Sequence, residues 1–542
     1  FEPSVQQRLT RRVAERAMGA SLLLRLCAKA LLLPLCAIPS LMLAGCAPTT
    51  TQADRAQFLG APAMERTLAA SGLKSANGDN AWPSDAWWRN FHSAELTRVV
   101  DKALADNQNL KKAGDTLRVA EASVRIASAK LSPAVQSDYW MRQSRNPNHG
   151  VVASYNSSQG GLEKTAGFLT PFVVTWELDF WDKNRAGMDA AIGEEEAREA
   201  EFQQTRLLLT TGVSRAYLRG YALARQLEIA GELIKLRYEL LQLAETRFQT
   251  GLDTMDGVQI ARAHYESAIR REATVRAALA IQQDAIARMM GEGPDAARNL
   301  FTGKQATPSA PALPRHLPVE LLAHRPDLAA ALRRAEASAE KIHVAKTLLL
   351  PSIDLSIASG LEGSTTSSTI NKLGGYLFTP GATGYSVVPG FHLPIFQGGR
   401  LSGNLAGQRA EYDMAVESYN ETLLASAQQV ADSLANLKRA MTEYQAQGRL
   451  VAASREQVAL ARTRLRDGLR DRREVEQEQI ELLEARYVEH TLNGDRMVAS
   501  VDLYQSLGGG YTNTADLAKP KPAPENDPIT PAVDTITSMT GG

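Results

Sequence analysis

Between Val213 and Leu241 the apolar and small positions Val213, Tyr217, Gly220, Ala224, Leu227, Gly231, Ile234, Tyr238 and Leu241 follow one another at alternating spacings of four and three. That is the seam of a coiled coil, and its small residues permit close approach of a neighbour. No proline interrupts the chain from Phe172 to Gly293. The spacing predicts one continuous helix from Lys183 to Gly251, roughly 100 Å long at ~1.5 Å per residue. The pattern then recurs: Val430, Leu434, Leu437, Met441, Tyr444, Gly448 and Val451 each stand 217 positions beyond a seam residue of the first set. Pro133, Leu178, Arg185, Gly251 and Gly291 likewise find partners in Pro351, Leu393, Arg400, Gly468 and Gly508, at offsets of 215 to 218. The chain is an internal duplication, each half holding very long helices and a pair of strands.

The strands show as period-two alternation. Phe172, Val174, Trp176, Leu178 and Phe180 fall on one face, with Val173, Thr175, Glu177 and Asp179 on the other. Val135, Ser137, Tyr139 and Met141 oppose Gln136, Asp138, Trp140 and Arg142. In the second half Ile353, Leu355 and Ile357 alternate with Ser352, Asp354 and Ser356, and Phe391, Leu393 and Ile395 alternate with residues such as His392. Lengths near ten residues suit tilted transmembrane strands, which need about 9 to 11. The apolar sets, Phe172 to Phe180, Ile353 to Ile357 and Phe391 to Ile395, are then the lipid-facing positions. Alternation alone leaves a soluble sheet with one wet face equally open. Long polar loops, 143–167 and 360–384, join the strands of each pair. Gly360 to Ser364 lacks the lysine and following helix of a phosphate cradle and reads as hairpin loop.

Four strands cannot close a sheet, and an open edge inside lipid leaves backbone groups without partners. Two chains give eight strands and a filled interior; three give twelve and begin to leave a lumen. The fold class expected is an α+β membrane protein: a trimeric, twelve-stranded outer-membrane β-barrel with four strands per chain, continued by a long α-helical coiled-coil tunnel.

Composition changes the picture at the start of the chain. Arg25 and Lys29 precede an apolar run that ends in Leu43-Ala44-Gly45-Cys46. This resembles the bacterial lipoprotein processing box, with cleavage before Cys46 and lipid attached to its thiol. The expected organisation is a signal peptide with upstream extension over 1–45, a lipidated tether over 46–86, a first repeat over 87–292, a proline-rich linker over 293–317, a second repeat over 318–511 and a disordered tail over 512–542. The cluster Trp87-Trp88-Arg89-Asn90-Phe91 reads as packing at the entrance to the first repeat. Sixty basic and sixty acidic residues cancel, which argues against nucleic acid as a partner. Eight histidines lie scattered without metal-ligand spacing, and no nucleophile elbow or nucleotide loop is present. No enzyme, no metal and no cofactor other than the covalent lipid on Cys46 is expected.

Trp88 to Phe91, Asn107 to Leu110, Trp176 to Trp181, Arg247-Phe248-Gln249-Thr250-Gly251-Leu252, Leu317 to Leu328, Leu393 to Arg400 and Leu503 to Gly510 occur in this order across Trp87 to Tyr511. Together with the duplication they resemble the outer membrane efflux protein family, the TolC-like channels, and within it the lipid-anchored outer membrane factors of tripartite pumps. The resemblance implies a homotrimer in the outer membrane of a Gram-negative bacterium, reaching into the periplasm. It also implies a periplasmic adaptor and an inner-membrane pump, of the RND type, as partners. An exit channel for protein secretion is a second reading within the fold, and a scaffolding lipoprotein without a pore is a reading of another class.

Gating in such channels lies at the periplasmic tip, which the resemblance places at the glycine turns. The residues so assigned are Arg247, Gly251, Leu252 and Asp253 in the first half, and Arg466, Asp467, Gly468, Leu469, Arg470, Asp471, Arg473 and Glu474 in the second. Adaptor contact is expected at the same residues. Gln477 stands where family members usually carry an aspartate, which puts an aspartate ring in doubt, with Glu476 or Glu478 as the nearby acids.

Overall fold

The computed structural model describes residues 84–302, 324–365 and 377–511, with the short pieces 56–60, 62–64, 66–67 and 307–309 and the positions 373 and 375. The signal segment, Cys46, most of the tether, much of the linker and the tail lie outside the described residues. In chain order the elements are α1 (Ala94–Asp106), α2 (Gln108–Ala129), β1 (Ala134–Arg145), α3 (Val151–Tyr155), β2 (Glu163–Leu178), α4 (Lys183–Gln249), α5 (Met255–Met289), α6 (Pro326–Thr347), β3 (Ser352–Thr365), β4 (Thr383–His392), α7 (Arg400–Arg466) and α8 (Arg472–Ser506). The duplication is in the lengths: α4 and α7 have 67 residues each, α5 and α8 have 35, and α2 and α6 have 22.

Helix α4 starts where the strand ends because Asp179 caps it. Its carboxylate accepts the Asn184 N–H at 2.9 Å and the Arg185 N–H at 2.8 Å, satisfying donors that the first turn leaves unpaired. Asp182, at the boundary itself, sits in the left-handed region and makes no such bond. The far end is a Schellman turn, with Leu252 N–H on the Arg247 carbonyl at 2.8 Å and Gly251 N–H on Phe248 at 3.0 Å. Gly468 repeats it in α7, with Leu469 N–H on Arg464 at 2.8 Å and Gly468 N–H on Leu465 at 3.1 Å.

The expected seam is buried at its two ends, from Val213 to Ala224 and at Leu241, and departs between them. Val213, Tyr217, Gly220 and Ala224 are buried, but beyond Ala224 the buried stripe moves to Gln226, Ile229, Ala230 and Leu233, and Tyr238 is exposed. A straight helix drifts ~20° per heptad against a 3.5-residue repeat, so the contact stripe leaves the heptad positions. What Gly220 admits most closely is the ring of Phe301, from which a Cβ there would stand 2.6 Å, with Gln282 of α5 at 3.6 Å. Trp87 and Phe91 are buried in the core formed by α1, α4, α5 and α8, and Trp87 stacks on Tyr504 at 5.1 Å, in agreement with the packing role read for this cluster. No described helix is long and apolar enough to cross a membrane.

The strands form one antiparallel sheet in the order β1-β2-β3-β4. Val135, Val174, Ile357 and Val387 stand in one row across it, followed by Trp176, Leu355 and Pro389 and then by Leu178, Ile353 and Phe391. Phe172 pairs with Ser359 on the same face. The opposite face carries Thr175 with Ser356, Glu177 with Asp354, and Ser352 with His392. Sheet register slips between Leu169 and Phe172, where Pro171 has no N–H to give the ladder. Four expected strand positions fall outside the sheet: Asp179, which caps α4, and three more. Phe180 lies beyond the end of β2, where the chain turns into the α4 cap, and Leu393 and Ile395 follow the end of β4, where Pro394 cannot continue the ladder.

Candidate functional site

Each long hairpin ends in a glycine turn, and charged residues of the two turns meet where α8 packs on α4. In the first, Arg247 Nε donates to Asp253 Oδ2 at 3.2 Å and its Nη2 to the Leu252 carbonyl at 3.2 Å. Asp253 Oδ1 also accepts the Thr254 N–H at 2.9 Å. That backbone donor foremost, then Arg247 and Arg473, hold the Asp253 carboxyl below its usual range. Arg473 comes from the second hairpin: its Nη1 lies 3.7 Å from Asp253 Oδ2, while its Nη2 donates to Asp471 at 2.7 Å. The guanidinium of Arg473 likewise depresses Asp471, whose other oxygen caps α8 through the Glu474 N–H at 3.3 Å. Arg470, in the turn before α8, pairs with Glu474 of its first turn at 3.0 Å.

Of the twelve sequence-assigned tip residues, Arg247, Asp253, Asp471 and Arg473 form one cluster, with Arg470 and Glu474 beside it. Leu252 and Leu469 are both exposed and occupy equivalent places after the two glycines. Arg466 donates to Thr463 in its own helix at 3.1 Å, and Asp467 is the C-terminal cap of α7, so neither joins the cluster. The sequence reading missed a second bridge between the hairpins. Arg472 reaches Glu239 of α4 at 3.3 Å and Glu476 at 2.5 Å. The Arg472 to Glu476 spacing is a helix pair visible in sequence, but Glu239 lies 233 positions away and nothing local marks it. Glu476 is buried, whereas Gln477 is exposed. The arrangement links the two hairpins to each other through partly exposed ion pairs.

A profile of the family described as "outer membrane efflux protein" matches residues 99–292 and 317–509, one stretch in each repeat. The chain belongs to this family. It is 28% identical over 488 residues to a putative multidrug resistance outer membrane protein, MdtQ, of Shigella flexneri, covering 87% of this chain and 96% of that one. It is 26% identical over 444 residues to the multidrug resistance outer membrane protein MdtP of Escherichia coli, covering 80% and 88%. Among solved structures, the outer membrane protein VceC of Vibrio cholerae superposes with a TM-score of 0.69 at 27% identity, over 80% of this chain and all of that one. The Campylobacter jejuni CmeC outer membrane channel shares the fold, with a TM-score of 0.72 at 20% identity over 85% and 95%. The family is one of outer-membrane channels, a barrel continued by a helical tunnel, and the four-stranded sheet is one chain's share of such a barrel.

Proposed function

We propose that this chain is the exit duct of a tripartite efflux pump that passes small molecules such as drugs from the periplasm and an inner pump to the cell exterior. Three copies share a twelve-stranded barrel, and the apolar sheet face of Phe172, Val174, Trp176, Leu178, Ile353, Leu355, Ile357 and Phe391 meets lipid. Lipid on Cys46 anchors each copy. A periplasmic adaptor docks at the hairpin tips and links the duct to an RND-type pump. The observation that carries this reading is the pairing of two equal-length helical hairpins, ending in charged glycine turns, with a sheet that is apolar on one face and polar on the other. Charge at the tip restrains the aperture until an adaptor engages it. Reconstitution of the full chain in planar lipid bilayers tests this: discrete channel openings are expected. A protein that gives no conductance would return the scaffold reading.

A further inference from the structure

Unbroken alternation would put Phe168 on the apolar face of β2, since it stands an even number of residues from Phe172. The sheet does otherwise. From Phe172 to Leu169 the strand advances three residues while β3 advances two, from Ser359 to Leu361, so β2 carries one extra residue there. Against β1 the count is the same, three from Val173 to Thr170 for two from Gln136 to Asp138. This bulge exchanges the faces of β2 beyond Pro171: Leu169 keeps to the apolar face, and Phe168 turns to the polar one. Gly360 of β3 makes room for it. A Cβ there would stand 2.7 Å from the Thr170 Cα and closer still to the Leu169 carbonyl.

What the bulge delivers is an aromatic pair on a face that is otherwise largely polar. Trp140 of β1, Phe168 of β2 and Glu362 of β3 stand in one row, and the Trp140 and Phe168 rings stack at 4.3 Å with 20° between their planes. Trp140 is still 45% exposed. Glu362 is exposed too, and among the described residues it has no ion-pair partner. The row lies about 33 Å along β3 from Ser352, at ~3.3 Å per residue, towards the end of the sheet away from the helices. One residue further on, Leu373 and Leu377 are buried against Gly167 and Gly363 on the other face, so the sheet is backed there by protein.

We propose that Trp140, Phe168 and Glu362 form a station for planar aromatic cations at the outer end of the duct. This rests on the proposed duct, in which the polar face turns to the lumen, and adds the class of molecule that pauses there. A flat ring stacks on the open side of the aromatic pair, whose faces attract positive charge. Glu362, two strands from Trp140 and so about 10 Å away at ~4.8 Å per strand, supplies the counter-charge. Asp138 and Arg142 flank Trp140 along β1 with opposite charges, on the side remote from Glu362, so the cationic end is drawn towards β3. An aromatic anion or a cation without a ring satisfies only half of the site. The station is open to solvent, which permits the release that an exit path requires.

Proflavine, a planar aromatic cation, is the probe, with tetraethylammonium as the ringless cation and naphthalenesulfonate as the aromatic anion. Equilibrium dialysis against the detergent-extracted full chain, corrected for empty micelles, is expected to show binding of proflavine alone, weakened about tenfold by Glu362→Gln or Trp140→Leu. Glu362→Gln changes charge at an exposed position and keeps the size, so its effect is separate from folding. Equal binding by the unmodified chain and Glu362→Gln, or equal binding of all three probes, would overturn the station. A Trp140→Leu protein that melts lower but binds proflavine as before would leave the ring pair as cross-strand packing and overturn it as well. In planar bilayers proflavine should shorten the openings of the unmodified chain and barely touch those of Glu362→Gln. Openings indifferent to proflavine would remove the station and leave the duct standing. A chain without openings would remove the duct, and dialysis would then decide the station alone.

Discussion

Asp253 holds the centre of the tip through three donors: the Thr254 amide, Arg247 and Arg473. Its carboxyl is held below the ordinary value of 3.8, so the ionised form is the one the fold favours. A depressed carboxyl contributes throughout the range above its ordinary value and is lost only as pH falls through its own lower one. Conductance measured against pH should therefore stay flat through neutral and mildly acidic conditions and rise below 3.8. Asp253→Asn should abolish that step, and its survival in the variant would assign the step elsewhere. Replacing Arg470 and Arg473 together with glutamine should raise conductance at neutral pH, and an unchanged value would place both on the solvated exterior. Part of this charge was legible in sequence, because an i to i+4 pair such as Arg472 and Glu476 is fixed by helix geometry. The cross-hairpin partners were not, because Asp253 and Arg473 meet only through the packing of α8 on α4.

Among the elements, the helices were read from spacing and from the lack of proline, and both 67-residue spans start at the very residues, Lys183 and Arg400, that follow a capping turn. What spacing did not carry was where the stripe would move once a straight helix slipped off the heptad, or that Asp179 would leave its strand to cap α4. The strand ends were misplaced for a related reason: alternation continues through Phe180, Leu393 and Ile395, while the backbone has already turned away. Glycines separate by conformation. Gly251 and Gly468 lie at φ values of 72° and 74°, where an L-residue costs about 1–2 kcal/mol. Gly251→Val should lower the unfolding temperature and loosen the tip, seen as faster amide exchange at Leu252 and Asp253. Gly231 sits inside α4 with nothing within 4 Å of an added Cβ, and Gly231→Ala should stabilise the helix by about 1 kcal/mol. A thermal melt that moved both variants in the same direction would undo this distinction.

At the scale of the molecule, the duplication and the strand count were legible together, since four strands with two open edges demand partners whatever their sequence. The anchor belongs to this scale as well. The mature protein should begin at Cys46 with acyl mass added, and Cys46→Ser should remove that mass and release the chain more readily from membranes; an intact signal segment on the purified protein would contradict it. The halves are pseudo-equivalent in sequence and in helix length, but the structure covers them unequally, α4 packing against both repeats and α7 mainly against its own. Equal helix lengths have a mechanical corollary. Staves of one length end in a level rim, so a partner pressing on that rim meets every turn at the same depth. Removing seven residues from α4 and from α5 alone would tilt the rim by about 10 Å at ~1.5 Å per residue. The same cut made in both repeats would leave it level and merely lower it, so tolerated length changes in this chain come as matched pairs.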